Sequence, residues 1–133
     1  MKRKRLLDSF AVLAWLQDEA GAESVQGILL TARRERIPLL LTVINLGEVY
    51  YRVARQHGHP FAQGVIRQVK ALPIELCPCD EELALRAARI KADFPIAYAD
   101  ALATATAQRE VATVVTGDPE FRKVQHLVPI EWL

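Results

Sequence analysis

The sequence is poor in the residues that would hold a small chain together covalently or through a soft metal ion. Only two of its 133 residues are cysteine, and only three are histidine. Cys77 and Cys79 are separated by Pro78 alone, so a disulfide between them would be strained. No further Cys or His cluster lies near enough to complete a zinc site. We therefore expect two reduced, partly buried thiols.

Long hydrophobic runs and an excess of one charge are also missing. The formal net charge is +1, so any surface for nucleic acid must be local. No apolar run approaches the ~20 residues that a membrane span requires. The basic start, residues 1–5, resembles the charged region of a signal peptide, but Asp8 soon interrupts the apolar stretch that follows. We therefore predict no export signal and no membrane span, and a cytoplasmic location.

The sequence does contain an alternation of short apolar runs with helix-like patterns. Hydrophobic residues make up 51% of the chain, which suits one globular domain over residues 1–133. Strand-like runs occur at 5–7, 39–41, 74–77, 112–115 and 127–132. Helical spacing predicts helices at about 9–19, 22–36, 44–56, 61–72, 80–91 and 97–109, with Ser9 as the first N-cap and a short helix opening at Asp118. This alternation predicts the α/β class: a parallel sheet of four to five strands flanked by helices.

Four acidic residues fall where such a sheet would bring them together. Asp8 directly follows the first strand, and Asp118 comes just after the strand at 112–115. Glu48 and Asp100 lie in the early turns of two crossover helices, whose N-termini face the same edge as the strand ends. Each acid has a simpler explanation, such as a helix cap, a favourable helix dipole or an ion pair between Glu48 and Arg52. Those roles do not require the acids to converge, and converging carboxylates repel one another unless a cation lies between them.

Short polar residues and one arginine accompany these acids. Ser9, Thr42, Asn45 and Thr116 lie near the predicted edge and could orient carboxylates or a metal-bound water, although capping suits Ser9 equally well. Arg52 is the basic residue that we expect to contact a phosphate. Ligands that are all carboxylate oxygens suit Mg²⁺ or Mn²⁺ better than zinc or copper.

The acidic motifs resemble those of PIN-domain nucleases, and among these the VapC toxins of prokaryotic toxin–antitoxin pairs. The resembling stretches occur in the family's order: Leu6-Leu7-Asp8-Ser9, Asn45-Leu46-Gly47-Glu48-Val49-Tyr50-Tyr51-Arg52, Tyr98-Ala99-Asp100-Ala101-Leu102-Ala103 with Ala107 beyond, and Thr116-Gly117-Asp118-Pro119-Glu120-Phe121. The resemblance implies a PIN-like domain in which the acidic quartet is formed by Asp8, Glu48, Asp100 and Asp118. Thr116 would accompany the last acid. Phe10 departs from the pattern, because it is bulkier than the small residue that often follows the first motif.

The resemblance also implies an activity and partners. The expected activity is cleavage of RNA phosphodiester bonds by a metal-dependent endoribonuclease that uses Mg²⁺ or Mn²⁺. The expected partners are single-stranded or looped RNA, a VapB-like antitoxin that blocks the site, and a second copy of the chain in a homodimer.

Two other interpretations remain open from the sequence. A catalytically inactive PIN-like module that binds RNA or protein would keep the fold, although an intact quartet speaks against it. A phosphoacceptor receiver domain is also small and α/β, but it needs paired acids after the first strand and a lysine near the last. Asp8 stands alone there, and residues 128–133 contain no lysine.

Overall fold

Residues 4–133 are described by a computed structural model, so residues 1–3 of the predicted basic start lie outside the described part. Within that part, the strands are β1 (Lys4–Leu7), β2 (Leu39–Thr42), β3 (Ile74–Cys77), β4 (Ala112–Thr116) and β5 (Ile130–Trp132). The α-helices are α1 (Ser9–Leu16), α2 (Ala22–Glu35), α3 (Val43–His57), α4 (His59–Lys70), α5 (Glu81–Asp93) and α6 (Tyr98–Glu110). A 3₁₀ helix, Pro119–Val124, precedes β5. The predicted α/β alternation is confirmed.

The strands form one parallel sheet in the order β3-β2-β1-β4-β5. β1 is central, and its Leu6 is paired with Leu40 of β2 and with Val114 of β4. The chain builds outward from β1 on one side and then returns to build the other side through β4. The gap between β1 and β4 is therefore a topological switch point, where ligands bind beyond the carboxyl ends of strands in open α/β sheets.

The central strands divide the hydrophobic core because successive residues point to opposite faces of the sheet. Leu6 packs in a cluster with residues of α5 and α6, whereas Leu7 packs in a second cluster with residues of α1 to α4. All four residues of β2 are buried. A strand covered on both faces must be apolar along its length, which explains why 39–41 is an unbroken leucine run.

Small residues let α6 approach the sheet closely. Every residue from Ala101 to Ala107 is buried, and the helix packs against α5 and β4. Two threonines fit this apolar setting because their hydroxyls donate to carbonyls one turn back. Thr104 donates to Asp100 O at 2.8 Å, and Thr106 donates to Leu102 O at 2.7 Å. This packing brings the first turn of α6, with Asp100, to the edge of the sheet.

Three local predictions differ from the structure. Asp8, and not Ser9, is the N-cap of α1, because its carboxylate accepts from Ala11 N at 2.9 Å. The same helix ends at Leu16 instead of near Glu19, and Asp18 follows with a positive φ of 51°. The last strand is confined to Ile130–Trp132 because the backbone before it is still turning, with Leu127 N bonded to Val124 O.

The structure also bears on the expectations for the two cysteines and for a membrane span. Cys77 is buried and Cys79 is partly buried, and both are free thiols within residues 4–133. No helix in this part of the chain combines the length and apolar character needed to cross a membrane.

Candidate active site

The four predicted acids lie at one edge of the sheet, beyond the ends of β1, β2 and β4. Asp8 follows β1 directly, and Asp118 is two residues beyond Thr116, the end of β4. Glu48 lies in the second turn of α3, the helix that follows β2, and Asp100 lies in the first turn of α6. The side chains therefore come from four different elements around the switch point between β1 and β4.

Asp8 is the most buried of these acids, with 2% of the residue exposed. Its Oδ1 accepts from Ala11 N, and its Oδ2 accepts from the Thr116 hydroxyl at 2.5 Å. Burial raises the pKa of Asp8 to about 7, although the bonds from Thr116 and Ala11 oppose this rise and the charge of Asp118 adds to it. The fold therefore holds a carboxyl group where its ionised form is poorly solvated.

Glu48 is held in place by polar residues at the start of α3. Thr42 is the N-cap, and its hydroxyl oxygen accepts from Asn45 N at 3.0 Å. The Thr42 hydroxyl also donates to Asn45 Oδ1 at 3.1 Å, which leaves the Asn45 amide group to donate to Glu48 Oε1 at 2.7 Å. Asn45 is fully buried, so this chain of bonds fixes Glu48 from inside the protein. The Glu48–Arg52 ion pair that the sequence allowed does not form within residues 4–133.

The charges of the other three acids all raise the pKa of Asp100. Burial is the largest cause that raises its pKa to about 7, followed by the charges of Asp118, Asp8, Glu48 and finally Glu120. Like charges that disfavour one another's ionisation must lie close in space. The structure thus brings all four predicted acids into one electrostatic group.

Asp118 combines a structural role with its place in this group. Its Oδ1 accepts from Glu120 N at 3.0 Å and caps the 3₁₀ helix, as its position before Pro119 suggested. Its own backbone N donates to the Thr116 hydroxyl oxygen at 3.0 Å. The Thr116 hydroxyl therefore links Asp8 to the turn that carries Asp118.

The four acids carry negative charge that no ion pair within residues 4–133 compensates. Among residues 4–133, no Lys, Arg or His forms an ion pair with any of the four acids. The same part of the chain holds no three His, Cys, Asp or Glu side chains already grouped closely enough to hold a metal ion. The charges of Asp118, Asp8 and Glu48 oppose the ionisation of partly buried Asp100, and a divalent cation would relieve that repulsion.

Comparison with known proteins identifies the fold family. The model of the PIN domain family matches residues 5–127. The chain belongs to the PIN domain family. This excludes the receiver-domain interpretation. A search among curated proteins returned no match.

Solved structures with the same fold as this PIN domain include several toxin–antitoxin proteins. VapBC2 from Rickettsia felis, bound to a promoter DNA fragment, is 17% identical, with 96% of each chain covered and a TM-score of 0.75. DNA-bound VapBC from Salmonella typhimurium is 17% identical, with 98% of each chain covered and a TM-score of 0.74. VapC20 from Mycobacterium tuberculosis, a toxin that cleaves the sarcin–ricin loop, is 13% identical, with 91% of this chain and 95% of that chain covered and a TM-score of 0.71.

The remaining predicted residues of the PIN domain differ in whether they contact the acids. Asn45 and Thr116 each bond to one of the acids, whereas Ser9 has no hydrogen bond to them within the described chain. Arg52 is exposed on α3, one turn beyond Glu48. Glu120 was not predicted, yet its charge acts on Asp100. Its sequence signal is its place two residues after Asp118, within the last of the resembling stretches.

Proposed function

We propose that this PIN domain is a divalent-metal-dependent endoribonuclease that acts as the toxin of a VapBC-type pair. The observation that carries the proposal is the position of Asp8, Glu48, Asp100 and Asp118 at one edge of the sheet, where no cationic side chain of residues 4–133 forms an ion pair with them. Ionised Asp8 and Asp100 destabilise the fold at this edge, because burial raises the pKa of both carboxyl groups to about 7. We expect a fold to retain such an arrangement where a bound cation offsets the repulsion between the carboxylates.

The donor atoms fit Mg²⁺ or Mn²⁺. We propose Asp8, Glu48, Asp100 and Asp118 as the residues that would hold the ion, directly or through water, since hard divalent ions prefer carboxylate oxygens. When bound, such an ion lowers the pKa of a water molecule and stabilises the leaving oxygen of a phosphodiester.

The chain's own residues would position the acids and the substrate. The Thr116 hydroxyl holds Asp8 Oδ2, and the Asn45 amide holds Glu48 Oε1, so both carboxylates have one oxygen fixed by a bond from the protein. Arg52 is exposed on the helix that carries Glu48, and we propose it as a contact to an RNA phosphate. Ser9 completes the predicted set as a residue beside Asp8 that could bind water.

The proposed partner is a small VapB-like antitoxin. This is supported by the fold shared with VapBC complexes from Rickettsia felis and Salmonella typhimurium. The fold shared with VapC20, which cleaves the sarcin–ricin loop, supports RNA as the substrate. We further propose a homodimer that acts in the cytoplasm, where RNA is available.

The test compares the purified wild-type chain with Asp8→Asn and Asp100→Asn on a pool of single-stranded RNA. We expect cleavage in Mg²⁺ or Mn²⁺, no cleavage in EDTA, and loss of cleavage in both variants, whose circular dichroism should match that of the wild type. Asp93→Asn is the matched control, because Asp93 is an exposed acid at the end of α5.

Two outcomes would contradict the proposal. Retained cleavage in both purified variants would refute the metal-site assignment. RNA binding by the wild type without cleavage in either ion would favour the inactive module.

For the toxin role, expression of the wild type should arrest growth, and the product of a neighbouring small gene should restore it. Arrest by Asp100→Asn as strong as that by the wild type would contradict that role.

A further inference from the structure

An exposed aromatic ring borders the acidic site. Phe10 is the second residue of α1, and 40% of it is exposed. Its ring lies against Gly117: a Cβ on Gly117 would lie 2.8 Å from Phe10 Cζ, 3.1 Å from Cδ1 and closer still to Cε1. The φ of Gly117 is not in the left-handed region. In this arrangement the Phe10 ring occupies the space that a side chain on residue 117 would take.

The two contacting residues are parts of the segments that carry the acids. Phe10 is two residues beyond Asp8, and Gly117 joins Thr116, which bonds to Asp8, to Asp118. The contact therefore places the Phe10 ring beside the turn that joins Thr116 to Asp118.

The chemistry of the ring determines which part of a substrate it could bind. An apolar ring offers no hydrogen-bond donor to a phosphate or a sugar hydroxyl, whereas every nucleobase has a flat face that can stack on it. We propose that Phe10 is a substrate-positioning residue that stacks on an unpaired base of the RNA, next to the phosphate held at the acidic site. This inference rests on the proposed function.

Four other aromatic residues of the described chain are exposed, Tyr51, Phe61, Tyr98 and Trp132, but the atoms nearest to Gly117 all belong to Phe10. The Tyr98 hydroxyl donates to Ala84 O at 2.8 Å, which ties its ring to α5. Phe61 lies on α4 and packs against His57, with ring centroids 4.6 Å apart. Phe61 is 55% exposed and has no part in the site, so it serves as the matched control for removing an exposed phenylalanine.

The experiment begins by mapping cleavage of a single-stranded RNA pool by the wild type in Mn²⁺. A synthetic RNA oligomer with one mapped site is then prepared in its natural form and in a series with one abasic nucleotide near the cut. The kcat/KM of wild type, Phe10→Ala, Phe10→Leu, Phe10→Tyr and Phe61→Ala is measured on each. We expect Phe10→Ala to cleave the natural oligomer about 5- to 150-fold more slowly, the range for one stacked base. Phe10→Tyr should retain activity, Phe10→Leu should not, and Phe61→Ala should match the wild type.

The abasic series separates stacking from a role in folding. At one position, the abasic oligomer should be cleaved equally by wild type and Phe10→Ala, because the base that the ring would hold is gone. An equal effect of Phe10→Ala on all oligomers, or none on any, would overturn the inference while the proposed function stands. Unchanged cleavage with weaker inhibition by the antitoxin would assign the ring to protein binding instead. No cleavage by the wild type in any divalent ion would overturn the proposed function and this inference with it.

Discussion

Replacing Asp8 by Asn should change how the stability of the metal-free protein depends on pH. The carboxyl group has a pKa near 3.8 in an unfolded chain and about 7 in the folded one. The folded state therefore binds more protons between these values, so stability falls as the pH rises from about 4 to 7 and levels off above that. The ionised form is the one that burial disfavours. Asp8→Asn removes that form.

The magnitude follows from the pKa values. A rise from 3.8 to about 7 corresponds to about 4 kcal/mol against ionised Asp8, at about 1.4 kcal/mol per pH unit. An Asn side chain has one oxygen for the two donors, Ala11 N and the Thr116 hydroxyl, so the variant loses about 1 kcal/mol of hydrogen bonding. At pH 8 the variant should exceed the wild type in stability by about 3 kcal/mol. At pH 5 only about 1.7 kcal/mol of this cost applies to the wild type, so the variant should exceed it by less than about 1 kcal/mol.

The assay is urea unfolding in EDTA at pH 5, 6.5 and 8, followed by circular dichroism. Asp93→Asn is the control and should keep the pH dependence of the wild type. Adding Mg²⁺ at pH 8 should stabilise the wild type, by about 3 kcal/mol at a hundred times the dissociation constant, and should have little effect on Asp8→Asn. Parallel stability curves for wild type and Asp8→Asn over this pH range would refute the argument that burial of an ionised Asp8 destabilises the fold.

Two further variants test the packing around the acids. Asn45→Ala removes the buried donor to Glu48 Oε1 and should lower RNA cleavage about 10- to 100-fold, as loss of a ligand-orienting group does; kcat/KM equal to that of the wild type would contradict the positioning role. Gly117→Ala places a methyl group against the exposed Phe10 ring, which must turn aside at a cost of about 0.5–1.5 kcal/mol. In urea unfolding, Phe10→Ala in the same chain should relieve that loss, and additive effects of the two changes would contradict the contact.

The acidic site shows how much can be predicted from the positions of residues relative to the strands. Asp8 and Asp118 were predicted to meet because each follows a strand, and carboxyl ends of parallel strands share an edge. That argument places residues near one another but gives neither their burial nor their bonds. Thr116 donates to Asp8 across 108 positions of sequence, and only the pairing of β1 with β4 brings the two residues together.

The first helix shows where local signals are ambiguous. Asp8 and Ser9 are adjacent and both are good N-cap residues, so capping preference alone cannot choose between them. The sheet decides, because Asp8 N donates to Val115 O at 3.4 Å as β1 ends. The carboxylate of Asp8 is then in place to accept from Ala11 N. Ser9 becomes the first residue of the helix instead of its cap.

The sequence by itself determined the elements and their kind, because hydrophobic period and turn residues act over a few neighbouring positions. It also determined which carboxylates could be candidates, since their places relative to the strands are local facts. Only the tertiary structure decided the strand order, the burial that raises the pKa of Asp8, the effect of Glu120 on Asp100 and the contact of Phe10 with Gly117. These features depend on distances between residues far apart in sequence, which are set when the helices pack on both faces of the sheet.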